Sequence, residues 1–425
     1  MYKNKVLVLV LSSLMSLQFV VAQNNINSPY TRYGYGDISE TNSGEQRALG
    51  GVAIGSRSHS YINTVNPASY SAVDSMTFMF DIGTSALSSR FSDANKSVHT
   101  FNANLEYLTM QFPLSKGMGF SAGLLPYSFA GYNTYNIDSI PNPEGGSVYT
   151  AKNFTGNGGF SQVYMGLSKK IGKHISLGAN IYYMYGSVNN TRSVRILGST
   201  ADSTVQTNSI KASNFRLRYG IQYFNTFDKK HDVTLGLIYE HSAKLNSDFS
   251  QITAGVLSDT TINNYQFQLP TVFGIGLNYT YDSRISIGID YSLQKWASTK
   301  YFWDPAKSAN DPSFEKLSDR SKLSLGIEYT PKPLGRKFSD RIHYRVGSNI
   351  SNAYYNVPGV TLPKNYGLSF GIGLPLYNKF TNTVSTLNAS IEYGKVGSST
   401  NLREDYFKFT MNLVFNEHWF FKRKL

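Results

Sequence analysis

The chain has 425 residues, of which 41% are hydrophobic and 14% aromatic, with 31 Tyr, 26 Phe and 3 Trp. Charged residues are sparse at 16%, yet mean hydropathy is −0.28, which fits long alternating strands and not a set of membrane helices. Cysteine is absent, which excludes a lipid-anchored cysteine, a disulfide scaffold, thiolate metal sites and cysteine nucleophiles; the formal charge of +13 comes from scattered Lys and Arg, so no nucleic-acid partner is expected.

In chain order, the first element is "VLVLVLSSLMSLQFVVA" (Val6 to Ala22), preceded by Lys3 and Lys5. A basic start, an apolar run and small residues before Gln23 predict a secretory signal peptide over residues 1–22. No later run is long enough to cross a bilayer as a helix. Residues 23–75 are not strand-like. They contain "RALGGVAIG" (Arg47 to Gly55), with Gly50 and Gly51, and "NPASYSAVDS" (Asn66 to Ser75). This turn-rich composition predicts a compact hatch or plug ahead of the first strand.

From there the pattern is period two. Phe407, Phe409, Met411, Leu413 and Phe415 alternate with Lys408, Thr410, Asn412 and Val414; Ile285, Ile287, Ile289 and Tyr291 alternate with Ser286, Gly288, Asp290 and Ser292. Such runs predict fourteen strands: 76–91, 97–113, 118–131, 158–170, 175–195, 208–225, 232–246, 264–281, 284–300, 320–330, 341–352, 366–378, 384–397 and 403–418. Connections alternate between short turns and long loops, the long ones at 132–157, 247–263, 301–319 and 353–365. This is the rhythm of an up-and-down outer-membrane barrel, with short periplasmic turns and longer outer loops. The expectation is an all-β, 14-stranded antiparallel transmembrane β-barrel over 76–418, its oily stripes on lipid and its polar stripes around a plugged lumen. Tyr183, Tyr185, Tyr279, Tyr281, Tyr377 and Trp419 sit near strand ends, as aromatic girdles do. Residues 419–425 form a basic tail.

Several motifs tempt toward chemistry. "GFSAG" (Gly119 to Gly123) fits a nucleophile-elbow pattern but lies inside an alternating strand with no helix after it. The seven His show no metal-ligand spacing, so neither a metal, a cofactor nor catalysis is expected. The charges on polar stripes are Glu106, Arg216, Arg218, Glu240, Asp290, Glu328, Arg345, Glu392 and Lys408. They read either as a paired network that fixes barrel and plug or as a polar route for solute. Pro126 falls in the third strand, where it marks a kink that opens the wall or the strand's end.

The chain resembles the FadL family of long-chain fatty acid transporters. The resemblance rests on "ALGGVAIG" followed by "NPAS", on "QLPTVFGIGLNYTYDSRISIGIDYSLQKW" (Gln268 to Trp296), on "LSLGIEYTP" (Leu323 to Pro331) and on the strand count. It implies a hatch carrying Asn66, Pro67 and Ala68, passive uptake of small hydrophobic molecules across the Gram-negative outer membrane, and sideways exit at a kink in the third strand, where Pro126 lies. The ligand-lining positions of the family do not carry over, and the chain ends "WFFKRKL" where a terminal aromatic is usual. The alternative reading is a structural or partner barrel in an outer-membrane assembly or secretion complex, with lipid and protein partners. The processed chain is expected in the membrane fraction, released only by surfactant; recovery as a freely dissolved monomer after surfactant-free lysis would overturn the barrel reading.

Overall fold

The computed structural model describes residues 26–93, 96–141, 146–200, 202–254, 259–263, 267–301, 317–356, 364–378, 383–397 and 402–418. The expected signal peptide (1–22), the tail (419–425) and Trp419 lie outside these residues.

The N-terminal segment begins at Ile26 and contains a two-residue strand β1 (Asp37–Ile38), a short helix α1 (Gly44–Ala48) and a 3-10 turn (Pro67–Ala72). The wall then runs through β2 (Thr77–Ser92), β3 (Ser97–Ser115), β4 (Met118–Pro141), β5 (Ser147–Ile171), β6 (Ile175–Ile196), β7 (Thr204–Phe227) and β8 (His231–Glu240). The chain next makes an excursion through β9 (Ala243–Lys244), β10 (Asn246–Ala254), β11 (Asp259–Asn263) and β12 (Gln268–Leu269). It returns to the wall as β13 (Val272–Tyr281), β14 (Ile285–Gln294), β15 (Arg320–Tyr329), β16 (His343–Asn352), β17 (Lys364–Asn378), β18 (Thr383–Gly397) and β19 (Arg403–His418). All wall pairings are antiparallel, β8 pairs with β13, and β19 pairs with β2, which closes a barrel of 14 strands.

Side chains sort by face as the alternation requires. Phe407, Phe409, Met411, Leu413 and Phe415 are exposed, whereas Thr410, Asn412 and Val414 are buried in the lumen. Oily exteriors recur all round the wall, including Ile287, Ile289, Leu325, Ile327, Leu368 and Phe370. A water-soluble sandwich would bury these faces, so the exterior is built for lipid.

The strands differ from the sequence expectation at the long-loop end. Residues 132–141 and 147–157, expected as loop, extend β4 and β5 as a tall hairpin, because each strand satisfies the other's backbone through Pro141↔Ser147. Part of the expected loop 247–263 is β10 paired with β11, and β10 also pairs with the upper part of β7, which β8 leaves at Glu240. The expected strand 264–281 begins its wall ladder only at Val272, after Pro270, which has no N–H to donate.

Residues 26–75 occupy the lumen and run around its circumference. Leu49 and Gly50 lie against Gly326 and Gly347, Val52 against Gly288, Ile54 and Gly55 against Gly236 and Gly276, and Asn66 and Pro67 against Gly178 and Gly220. Successive wall strands thus present a lumenal glycine at one level, and several pair directly: Gly178↔Gly220, Gly236↔Gly276, Gly288↔Gly326 and Gly326↔Gly347. The belt lets the backbone of the segment approach the backbone of the wall. A Cβ on Gly347 would stand 2.0 Å from the Gly50 nitrogen and 2.1 Å from the Leu49 carbonyl carbon, both main-chain atoms that no rotamer change moves. Gly347→Val is therefore expected to cost about 1–3 kcal/mol or more by overpacking, read as a lower unfolding temperature in heat-dependent gel migration of the purified barrel.

Candidate functional site: a parted wall and a clamped lumenal segment

The first feature of the site is a break in the wall. β3 pairs with β2 from Ser97 through Gln111, but its ladder with β4 runs only from Ser115↔Met118 to Leu108↔Leu124. Above that point β4 stays bound to β5 as far as Pro141, with a register shift between Pro126 and Ser128. Of the two readings of Pro126, the strand does not end there: it loses a donor, bulges and turns its free edge inward. That edge is taken by the N-terminal segment. Asp37 and Ile38 pair with Phe129 and Ser128, the Ser39 N–H donates to the Tyr127 carbonyl (2.9 Å), and the Ser28 N–H donates to the Gly131 carbonyl (2.8 Å). The Gly131 N–H donates to Thr31 Oγ1 (3.0 Å).

The second feature is how the segment is held. Asn66 caps the 3-10 turn: its Oδ1 accepts the Ala68 N–H (3.1 Å) while its Nδ2 donates to the Ile54 carbonyl (2.8 Å), and Pro67 occupies the first turn position, where no N–H is needed. Gly50 and Gly51 sit at φ +67° and +90°, in the turn that releases the chain from α1. From the wall, Asp290 Oδ2 accepts the N–H groups of Ala53 and Ile54, each at 2.6 Å, and Oδ1 accepts that of Gly55 at 3.5 Å. Three charged residues of the segment meet wall charges. Glu40 pairs with Lys322 and, at 3.7 Å, with Arg320; Arg47 pairs with Glu106 at 2.9 Å; Glu45 lies 3.6 Å from Arg345. Glu106 also holds Lys408 at 2.6 Å, and Arg345 Nε holds Glu328 at 2.5 Å.

The other expected lumenal charges are there too, in separate groups. Glu240 binds both Arg216 and Arg218, the latter at 2.9 Å, and the Arg216 guanidinium lies 4.8 Å from the Tyr127 ring centre and 5.1 Å from that of Tyr182. Glu392 accepts from the Tyr406 hydroxyl (3.1 Å). Ser121 of "GFSAG" is fully buried in β4, donating to the Met110 carbonyl and sharing a hydrogen bond with the Tyr164 hydroxyl, so it is a strand residue and no nucleophile elbow. Sequence reasoning missed Glu40, Arg47, Arg320 and Lys322. A signal existed for the last two, since Arg320 and Lys322 are in phase with Ser324, Gly326 and Glu328 on the lumenal stripe of β15.

Toward the long loops, an aromatic cluster that includes side chains of the segment fills the lumen. Tyr35 is its hub, with ring centres of Tyr301 at 5.1 Å, Trp296 at 5.6 Å and Phe160 at 6.0 Å, and Trp296 lies 4.6 Å from Tyr354. Beside it remains a cavity of about 180 Å³ lined by Asp37, Glu40, Arg47, Glu106, Lys408 and Glu404 among others, reaching Asn104 on β3 and Phe129 on β4. It therefore borders both sides of the parted wall.

Burial pushes the Glu40 carboxyl up, but the Lys322 and Arg320 cations beside it outweigh burial and bring it from 4.5 down to about 2. A depressed carboxylate contributes stability above its unfolded value and loses it as pH falls through the folded one. The stability difference between wild type and Glu40→Gln is thus expected to be full above about pH 4.5 and to vanish toward pH 2, measured as melting temperature across that range. Asp290→Ala leaves three buried donors without their charged acceptor and is expected to cost about 2–4 kcal/mol, with Asp290→Asn costing less, read by denaturant unfolding.

The solved structures confirm the fold. A FadL homologue of Pseudomonas aeruginosa aligns with a TM-score of 0.59 at 11% identity, over 90% of this chain and 99% of its own. The toluene transporter TbuX of Ralstonia pickettii aligns at 0.58 and 14%, over 89% and 98%, and the toluene transporter TodX of P. putida at 0.54 and 13%, over 89% and 98%. At these identities the likeness establishes a FadL-like barrel and nothing finer. Comparison with curated proteins gives no match. The BamG family model matches residues 1–425, and the chain belongs to the BamG family.

Proposed function

We propose that this protein is an outer-membrane barrel of a Gram-negative cell in which residues 26–75 act as a hatch and small hydrophobic molecules, long-chain fatty acids among them, pass passively from the lumen to the bilayer. The observation that carries this reading is the parting of β3 from β4 above Leu108↔Leu124. The paired stretch below it is shorter than the roughly 9–11 residues with which a strand crosses the acyl layer. The parting thus begins at the depth of lipid tails, on the long-loop side, flanked outside by exposed Phe101 and Leu105. An apolar molecule leaving there enters lipid without crossing water. Asn66, Pro67, Ala68, Gly50 and Gly51 shape the hatch, Pro126 releases β4 toward the lumen, Asp290 and Arg345 hold hatch to wall, and Arg216, Arg218, Glu240 and Glu392 brace the wall itself. Hydrocarbon and toluene channels of the same fold support the class of solute.

The test is uptake of a radiolabelled long-chain fatty acid, and separately of toluene, by outer-membrane vesicles with and without the protein. Faster uptake that is lost when the parting is closed by a disulfide supports the proposal; identical uptake in all three preparations overturns it.

A second reading has its own observation. The described lumen is packed with aromatic side chains and ion pairs, and its cavity beside the parting carries charged side chains among its apolar ones, which suits an apolar solute poorly. This favours a barrel that serves as a structural or partner subunit of an outer-membrane complex. Purification in mild surfactant separates the two: stoichiometric partners favour the subunit, a lone barrel carrying bound lipid favours passage.

A further inference from the structure

The upper edge of β4 has two possible partners in this chain. In the structure that edge belongs to the N-terminal segment, through Asp37↔Phe129, Ile38↔Ser128, and the bonds from Ser39, Ser28 and Thr31 to Tyr127 and Gly131. In an uninterrupted barrel it would belong to β3, whose ladder with β4 stops at Leu108↔Leu124. A backbone edge makes one ladder at a time, because each N–H and C=O on that side points at a single neighbour.

The register shows that the second pairing is stereochemically ready. β3 already skips a residue against β2, at Glu106 between Leu105 and Tyr107, and β4 skips one against β5, at Tyr127 between Pro126 and Ser128. Continuing the β3–β4 ladder upward with these two bulges kept sets Asn104 opposite Ser128 and Ala103 opposite Phe129. Asn104 and Ser128 belong to lumenal stripes, with Ser128 fully buried and Asn104 on the cavity, whereas Ala103 is exposed between exposed Phe101 and Leu105. The Asn104–Ser128 pair therefore joins two lumenal positions, which a register slipped by one residue would not give, while Phe129, half-buried on the cavity with the wall parted, has to turn outward to stand beside Ala103.

We propose that the N-terminal segment is a doorstop: residues 28–39 compete with β3 for the upper edge of β4, so the wall stands parted while the segment is seated and zips shut when the segment lets go. The arrangement couples hatch and wall by exclusion and in a definite sense. Withdrawal of the segment from β4 closes the parting, and closure of the parting expels residues 28–39 from β4. The inference does not depend on what passes through the barrel, and it stands or falls on pairing alone.

The chain has no cysteine, so engineered disulfides report the two pairings without background. Ile38→Cys with Ser128→Cys reports the seated segment. Ala103→Cys with Phe129→Cys reports the zipped wall. In otherwise unaltered protein in its membrane, the first pair is expected to cross-link and the second to stay near background. Adding Ser39→Pro, which removes the donor to Tyr127, together with Thr31→Val, which removes the hydroxyl on Gly131, is expected to lower the first yield and raise the second by about tenfold or more, from the loss of these hydrogen bonds. If the proline variant fails to fold, as read by heat-dependent gel migration, Thr31→Val alone gives the same test with a smaller shift. The proposal is overturned if the zipped-wall pair cross-links fully in the unaltered chain, if it stays at background once the segment has left β4, or if neither yield responds to the substitutions.

Discussion

A backbone amide facing acyl chains has no water to turn to, so every N–H and C=O at that depth must find a protein partner. The rest of this structure follows from that demand. It closes the ring through β8–β13 and β19–β2, and it decides what becomes of the β4 edge where the wall parts. At Pro126 the third wall strand has no donor to give and swings inward. Its edge is then completed from inside by residues 28–39 and not by its neighbour. The N-terminal segment and the wall are consequently one hydrogen-bonded object.

The lumen obeys a related rule. Charges taken out of water need partners, and here the partners lie across the boundary between segment and wall: Glu40 with Lys322, Arg47 with Glu106, Asp290 with the amides of residues 53–55. Each half of the contact leaves a buried charge or donor behind if the other departs. This makes a withdrawn segment costly, and residues 28–39 are held besides by the hydrogen bond of Ser28 Oγ to the Glu404 carboxylate and by Tyr35 in the aromatic cluster, so their release from β4 breaks those contacts too. The same packing leaves the lumen with charges around its cavity and aromatic rings above it. The solute that fits such an interior is the question that divides passage from a partner role.

Much of the fold was legible in the sequence because a two-residue period leaves no ambiguity over a long strand: Ile285 to Leu293 and Phe407 to Phe415 could only present one oily face. Boundaries were less legible at the long-loop end, where strands rise past the lipid and the oily stripe gives way to polar residues, as in "NTYNID" of β4. Which lumenal charges exist was readable; which ones meet was not, since pairing joins residues hundreds of positions apart, such as Glu40 and Lys322. The glycine belt was written in "YGIQY", "LGLIY", "GIGLNY", "IGIDY" and "LGIEY", a small residue at the same height of successive strands. Its meaning emerges only when the strands are set in register and the segment is laid along them. β1 is two residues long and carries no periodic signal at all.

The circular track of glycines carries a consequence for assembly. Its berth for residues 26–75 is contributed by strands from β4 to β19 and comes into being only when β19 meets β2. Residues 26–75, which precede the wall in the chain, must therefore wait, unshaped, until the last wall strand has closed the ring, or else be wrapped in place as the ring curls around them. In either order their contacts are among the most distant along the polymer, and distant contacts form slowly. Maturation of this protein thus ends not when the cylinder shuts but when the segment ahead of it has settled into the mould.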